Sequence, residues 1–128
     1  NDRVAKSYEM KVKEVKEGYS LVELQVNESM LNAAGVCQGG VVFSLADFAF
    51  AVASNSYGNV ALATSANINF VKPAFNGEKL TAEAVEVSKS KRIGVYRVEV
   101  KKEDGTVVAL FVGQAYFLDK PILEESKR

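Results

Sequence analysis

The sequence predicts an α+β fold in which an antiparallel sheet of five or six strands curls around one long central helix. Three observations predict it. Residues 41–53 are apolar on nearly every side of a helix, and such a helix must be buried on most sides. Around it lie short runs with strand patterning and turn residues between them, as in a sheet with one wet face. No other long helical pattern is present to cover the helix, so the sheet has to do so.

In chain order, residues 8–15 and 19–26 read as two strands joined by a hairpin turn at Glu17-Gly18. The helix follows over residues 40–56 and is closed by Gly58. Its start, Val36-Cys-Gln-Gly-Gly40, lacks the Ser, Thr, Asp or Asn that commonly occupies the orphan amides of a helix. Those amides are therefore available to something else, and two glycines let a ligand approach the backbone. The positive end of the helix dipole favours an anion or a developing oxyanion there. Four further strands are expected over 60–71, 79–89, 93–102 and 106–118. Pro73-Ala-Phe-Asn-Gly77 separates the first two, and Glu103-Asp-Gly105 makes a tight hairpin turn. Glu83-Ala-Val-Glu-Val87 and Tyr96-Arg-Val-Glu-Val100 are read as alternating polar with apolar. No internal repeat or linker is visible, so residues 1–128 are read as one domain, with a frayed tail at 124–128.

Composition narrows the functions open to the chain. Of 128 residues, 48% are hydrophobic and 25% charged, which fits a globular domain with a real core. Lys plus Arg equals Asp plus Glu at 16 each, so neither nucleic acid nor an anionic membrane is an expected partner. The longest apolar run is shorter than the ~20 residues a membrane helix needs, and no charged-then-apolar leader is seen. A single cysteine, Cys37, excludes an internal disulfide and suits a reducing compartment, with the cytoplasm as the expected location. With no histidine and one cysteine the usual zinc sites are not expected. Nucleophile systems that need an imidazole base are excluded for the same reason. Catalysis has to draw on a carboxylate, backbone amides, amide side chains or hydroxyls.

Asp47 is the one ionisable residue in the apolar run. Burial alone can raise a carboxylate's pKa by roughly 3–5 units, so such a residue is either satisfied locally or used. It lies two turns beyond Gly40 on the same face, about 10 Å away at 1.5 Å per residue, too far to reach a carbonyl held by its own helix start. A second helix laid antiparallel across a two-fold axis would bring Asp47 of one chain to the glycines of the other. Gly40, Ser44, Asp47, Ala51 and Ser54 form a stripe of small or polar residues suited to that contact. An obligate dimer with composite sites is the expectation.

The run Asn32-Ala-Ala-Gly-Val-Cys-Gln-Gly-Gly-Val-Val-Phe-Ser-Leu-Ala-Asp47, with Ala63-Thr-Ser-Ala-Asn-Ile-Asn-Phe-Val-Lys-Pro-Ala74, Asn76-Gly77, Thr81-Ala82 and Gly94-Val-Tyr96, resembles the hot-dog acyl-CoA thioesterases of the PaaI, or phenylacetate-degradation, type. The resemblance spans residues 20–118, and the spacing from Asn32 to Gln38 to Asp47 is its most specific part. It implies dimers often paired into tetramers, and hydrolysis of acyl-CoA or aryl-acetyl-CoA thioesters without metal or separate cofactor, coenzyme A being part of the substrate. By position, it implies that Asp47 activates water or attacks the thioester carbon, the Gly39 amide holds the thioester oxygen, and Asn32 orients the water or the carbonyl. Thr64 corresponds to a helper hydroxyl on the strand facing the helix. Gln38 departs from the pattern, standing where the family usually has His; it can donate a hydrogen bond but carries no transferable proton. Gly40 and Phe48 are expected to line the substrate site, and Lys91 and Arg92, ahead of the weaker Lys72, to meet the phosphates of coenzyme A.

Each residue has a structural alternative. Asp47 could be a buried acid bonded for structure, Gly39-Gly40 a tight helix entry, Asn32 a turn residue, Thr64 or Ser65 an ordinary strand residue, and Lys89-Ser-Lys-Arg92 a solvated turn. Cys37 is expected to pack quietly, having no cationic neighbour in sequence. The principal alternative function is a non-catalytic acyl-CoA binding or regulatory module marked by Gln38. A hydratase of the same fold would need an Asp-His pair, and a purely structural assembly protein would gain no stability from CoA.

Overall fold

A computed structural model describes residues 8–122, so the tail expected at 124–128 lies outside the described residues. The observed elements are β1 (Lys11–Lys16), β2 (Tyr19–Gln25), a single 3-10 turn (Glu28–Met30), helix α1 (Gly39–Ser54), β3 (Asn59–Phe70), β4 (Lys79–Lys89), β5 (Ile93–Lys102) and β6 (Val107–Pro121). The strands form one antiparallel sheet in the order β1-β2-β4-β5-β6-β3. After α1 the chain therefore crosses to the far edge, leaving β3 paired on one side only. Among the described residues, no helix is long and apolar enough to cross a membrane.

The sheet wraps α1 because its inward positions alternate as a pleated strand requires. Val22 and Leu24 of β2, Leu80, Ala82 and Ala84 of β4, Val98 and Val100 of β5, and Ala109 and Phe111 of β6 are buried against Val41, Leu45, Ala49 and Phe50 of the helix. Small residues decide how closely the helix sits. A Cβ on Gly113 would lie 2.9 Å from the Phe50 ring, which also packs 5.7 Å from both Tyr96 and Phe111. Ser20, fully buried in β2, donates to the Ala49 carbonyl at 2.6 Å and ties the sheet to the helix.

The helix ends at Ser54 rather than at residue 56 because Asn55 caps it: its backbone N–H and its side-chain Nδ2, at 2.8 Å, both donate to the Ala51 carbonyl. Gly58 then turns the chain with φ of 93°, as its position suggests. The alternation expected at Glu83-Ala-Val-Glu-Val87 is not what forms. Val85 faces solvent, while Glu86 takes the inward place after Ala84, just before a bulge between Glu86 and Ser88. An inward acid is tolerated because its Oε1 accepts the hydroxyls of Tyr57 and Tyr96, each at 2.9 Å.

Two measurements follow from this packing. Gly113→Ala forces a methyl into the Phe50 ring and should cost about 1–3 kcal/mol in denaturant unfolding. Burial, and next the Glu86 bond, push the Tyr57 phenol up from 10.0 to about 12, and the same causes raise Tyr96. Phenols that stay protonated longer in the folded chain stabilise it fully below pH 10, and this contribution disappears as pH rises through about 12. Phenolate absorbance should show Tyr57 ionising partway back toward its ordinary value in Glu86→Leu.

Candidate active site

Residues 31–38 fold into a tight loop that presents the start of α1. The Asn32 N–H donates to the Val36 carbonyl at 2.8 Å, and the Gly35 N–H to the Asn32 carbonyl at 3.0 Å. The Asn32 side-chain Oδ1 accepts from the Ala34 and Val36 amides at 3.0 and 3.1 Å, so its oxygen is committed to the loop. Its Nδ2 is the group left to donate outward. Gln38 closes the loop from the other end: its Nε2 donates to the Leu31 carbonyl at 3.2 Å and its backbone N–H to Met30 at 2.8 Å. The Cys37 N–H reaches the Ala74 carbonyl at 2.8 Å, fastening the loop to the chain after β3.

The helix opens without a side-chain cap, as expected. The amides of Val41 and Val42 turn back to the Gln38 carbonyl, whereas those of Gly39 and Gly40 meet no acceptor among the described residues. The two glycines differ in cause. A Cβ on Gly39 would lie 3.2 Å from the Phe70 ring, while one on Gly40 would meet nothing within 4 Å among the described residues. Beside Gly39 lies a cleft of about 320 Å³, walled by Val36, Cys37, Val42, Phe70, Val71 and Val108, with Lys72, Pro73 and Ala74 also on its lining. Burial pushes the Cys37 thiol above its ordinary pKa, which keeps it a quiet wall residue.

Asp47 is partly exposed on the helix face shared with Gly40, Ser44 and Ala51. Ser54 does not continue that stripe; it is buried and donates to the Ala51 carbonyl at 3.3 Å. The basic hairpin tip lies at the opposite end of the helix from the glycines. Lys89 covers the rings of Tyr57 and Phe117 at 4.7 and 4.9 Å, and Arg92 pairs with Asp119 at 3.0 Å. Asp119 raises the Arg92 pKa further, and Lys91 beside it is exposed.

Comparison with known proteins agrees with this architecture. The sequence profile of the Thioesterase superfamily matches residues 34–109. The chain belongs to the thioesterase superfamily. Within it, the chain is 39% identical to the acyl-coenzyme A thioesterase PaaI of Escherichia coli over 98% of its own length and 90% of that protein's. The structure of the E. coli PaaI protein from the phenylacetic acid degradation operon superposes with a TM-score of 0.92, covering 94% of this chain and 88% of that one. A putative esterase of Archaeoglobus fulgidus is 47% identical over 91% of this chain and 75% of its own. The fold is accordingly the hot-dog fold, with one long helix and a six-stranded antiparallel sheet.

Against this thioesterase frame, Asn32, Gln38, Gly39 and Gly40 come together at the helix start, and Asp47 shares their helix face without reaching them. Three further groups of expected residues lie elsewhere in the chain. Thr64 does not face the helix: it is the extra residue in a bulge between Ala63 and Ser65, and its hydroxyl is bonded at 3.2 Å to the backbone and side chain of Gln114. Gln114 sits between the helix-facing Gly113 and Ala115, hence on the outer face. Phe48 does not line the cleft, because nine residues beyond Gly39 it has rotated about half a turn away, and it packs at the core's edge. Lys91 and Arg92 are remote from their own helix start, while Lys72 is on the cleft. Phe70 and Val108 were missed because only the folded sheet brings them to Gly39.

The double use of Asn32 Oδ1 is directly measurable. Asn32→Ala should speed hydrogen exchange at the Ala34 and Val36 amides roughly tenfold, the loss of about one hydrogen bond each. Asn32→Asp, which keeps the acceptor, should leave them protected.

Proposed function

We propose that this chain is an acyl-CoA thioesterase that hydrolyses acyl-CoA or aryl-acetyl-CoA thioesters to the free acid and coenzyme A, in a site completed by a second copy of the chain. The observation that carries the proposal is the pair of amides at Gly39 and Gly40 that meet no acceptor among the described residues, opening beside an apolar cleft, in a chain 39% identical to an acyl-CoA thioesterase. Backbone donors fixed at a helix start stabilise the oxygen of a thioester as it becomes an oxyanion, and removing one such donor costs about 10²–10³ in rate.

In this mechanism the thioester oxygen accepts from the Gly39 N–H, and the Asn32 Nδ2 donates to the carbonyl or to the water beside it. Asp47 of the partner subunit delivers the attacking oxygen. The tetrahedral intermediate then collapses by breaking the carbon–sulfur bond, and coenzyme A leaves as the thiolate. A thiolate is a good leaving group, so no histidine is needed to protonate it. Coenzyme A enters as part of the substrate, and this chemistry calls for no separate cofactor. Gln38 keeps the loop closed through Leu31, a task that needs an N–H donor rather than an imidazole.

Three features support the dimer. The helix leaves Phe43, Ser44, Asp47, Phe48, Ala51 and Val52 partly uncovered. Strand β3 is a 12-residue edge with no charged side chain, in contrast to β1, whose Lys11, Lys13 and Lys16 discourage pairing. The helix is roughly 24 Å long at 1.5 Å for each of its 16 residues, so an antiparallel partner would carry Lys91 and Arg92 to the neighbouring helix start, where coenzyme A phosphates could meet them. Pairing of such dimers into a tetramer fits the exposed Leu62, Leu110, Val112 and Tyr116 on the outer face. With its lone cysteine reduced, the protein is assigned to the cytoplasm.

Thiol release from phenylacetyl-, hydroxyphenylacetyl-, benzoyl- and straight-chain acyl-CoAs tests the activity. Asp47→Asn should lower kcat by about 10²–10⁴ with the dimer intact. Turnover that survives this change would remove Asp47 from the reaction. A mixed dimer tests the composite site. Asp47→Ala and Gly39→Val, each inactive alone, should regain about a quarter of parental activity when refolded together, because half the dimers are mixed and half of their sites carry neither lesion. Sites contained in one chain would regain none.

A further inference from the structure

Phe70 ends β3 and alternates onto the helix side of the sheet, opposite the fully buried Ala109. Helix-facing phenylalanines elsewhere in this sheet, Phe111 and Phe117, are buried, yet Phe70 is 56% exposed. Its ring stands against the helix start, 3.2 Å from where a Gly39 Cβ would lie, and lines the cleft with Val42, Val71 and Val108. The ring therefore stands against the residue whose amide is proposed to hold the thioester oxygen and also bounds the open space next to it.

We infer that Phe70 selects the acyl group, its ring forming the wall on which a flat aromatic acyl group packs; this rests on the thioesterase assignment above. A thioester carbon carries three limbs. Its oxygen goes to the Gly39 amide, and its sulfur leads into an arm rich in amides and phosphates that requires polar surroundings. The acyl limb is the apolar one, and the cleft beside Gly39 is walled by apolar side chains, with the exposed Lys72 as its one charged residue. Size agrees: an apolar cavity of about 150 Å³ already holds benzene, and this cleft measures about 320 Å³. Offset or edge-on contact with an aromatic acyl group favours it over an aliphatic one of similar size by up to roughly tenfold.

The test compares phenylacetyl-CoA with hexanoyl-CoA for the parent chain, Phe70→Ala and Phe70→Tyr. The kcat/KM ratio of the aromatic to the aliphatic substrate should fall by about two- to tenfold in Phe70→Ala and hold in Phe70→Tyr, which keeps the flat face. Equal losses on both substrates, or an unchanged ratio, would overturn the inference and leave Phe70 a packing residue. Dissociation constants for the corresponding thioether analogues, which cannot be hydrolysed, are measured alongside. Should the parent release no thiol, the hydrolase assignment fails while the ratio of the two Kd values still decides the role of Phe70. A protein melting more than a few degrees low in the Ala form is replaced by Phe70→Leu, which keeps bulk and loses the aromatic face.

Discussion

A helix that is apolar on almost every side can persist in water only if something covers it, and the covering of α1 organises the rest of this molecule. Buried residues of β2, β4, β5 and β6 cover most of it, with Ala82, Ala84, Gly113 and Ala115 keeping the strands close. The face bearing Gly40, Ser44, Asp47 and Ala51 is left partly open, and β3, the strand that follows the helix, lies at the sheet edge. The same incompleteness that leaves apolar surface near the helix also exposes its first amides. Whatever covers that face also covers the carboxylate of Asp47, on the helix whose first turn carries Gly39 and Gly40.

Much of the fold was legible because the strongest signals are local. The boundaries of β4 and β5 agree with the expected ones to the residue, set by the turn segments that flank each strand. The turn at Glu17-Gly18 and the one at residues 103–105 form where glycine with positive φ allows them. What was not legible depended on partners far away in sequence. The side chains of Val85 and Glu86 are exchanged relative to hydropathy because Tyr57 and Tyr96 supply hydroxyls to the acid. Thr64 lies at a bulge in β3, between Ala63 opposite the buried Ala115 and Ser65 opposite Gln114 on the outer face, and nothing in the local pattern announces that extra residue.

The site divides in the same way. Asn32, Gln38, Gly39 and Gly40 are near neighbours in sequence, and their loop could be anticipated from spacing and from the missing cap. The cleft could not, since Phe70, Lys72 and Val108 join it through the sheet. Charge clustering drew attention to Lys91 and Arg92, although Arg92 already holds Asp119 and both residues sit at the far end of their own helix. A cluster in sequence says how much charge is present, and only topology says which end of the helix it serves.

The change from the family's usual histidine to Gln38 is best judged by what the position does. Its Nε2 donates to the Leu31 carbonyl, and its backbone N–H donates to Met30, so residue 38 is a clasp that holds the loop over the helix start. A neutral imidazole with one N–H could fasten that carbonyl in the same way, and an amide does so without titrating near neutral pH. The substitution would matter to the chemistry if the leaving group had to be protonated as it departs. For a thioester it does not, because the thiolate is stable enough to leave alone. A chain of this fold can therefore lack histidine altogether and still carry the groups on which the proposed mechanism draws: the Gly39 amide at the helix start, the Asn32 side chain held in its loop and the Asp47 carboxylate.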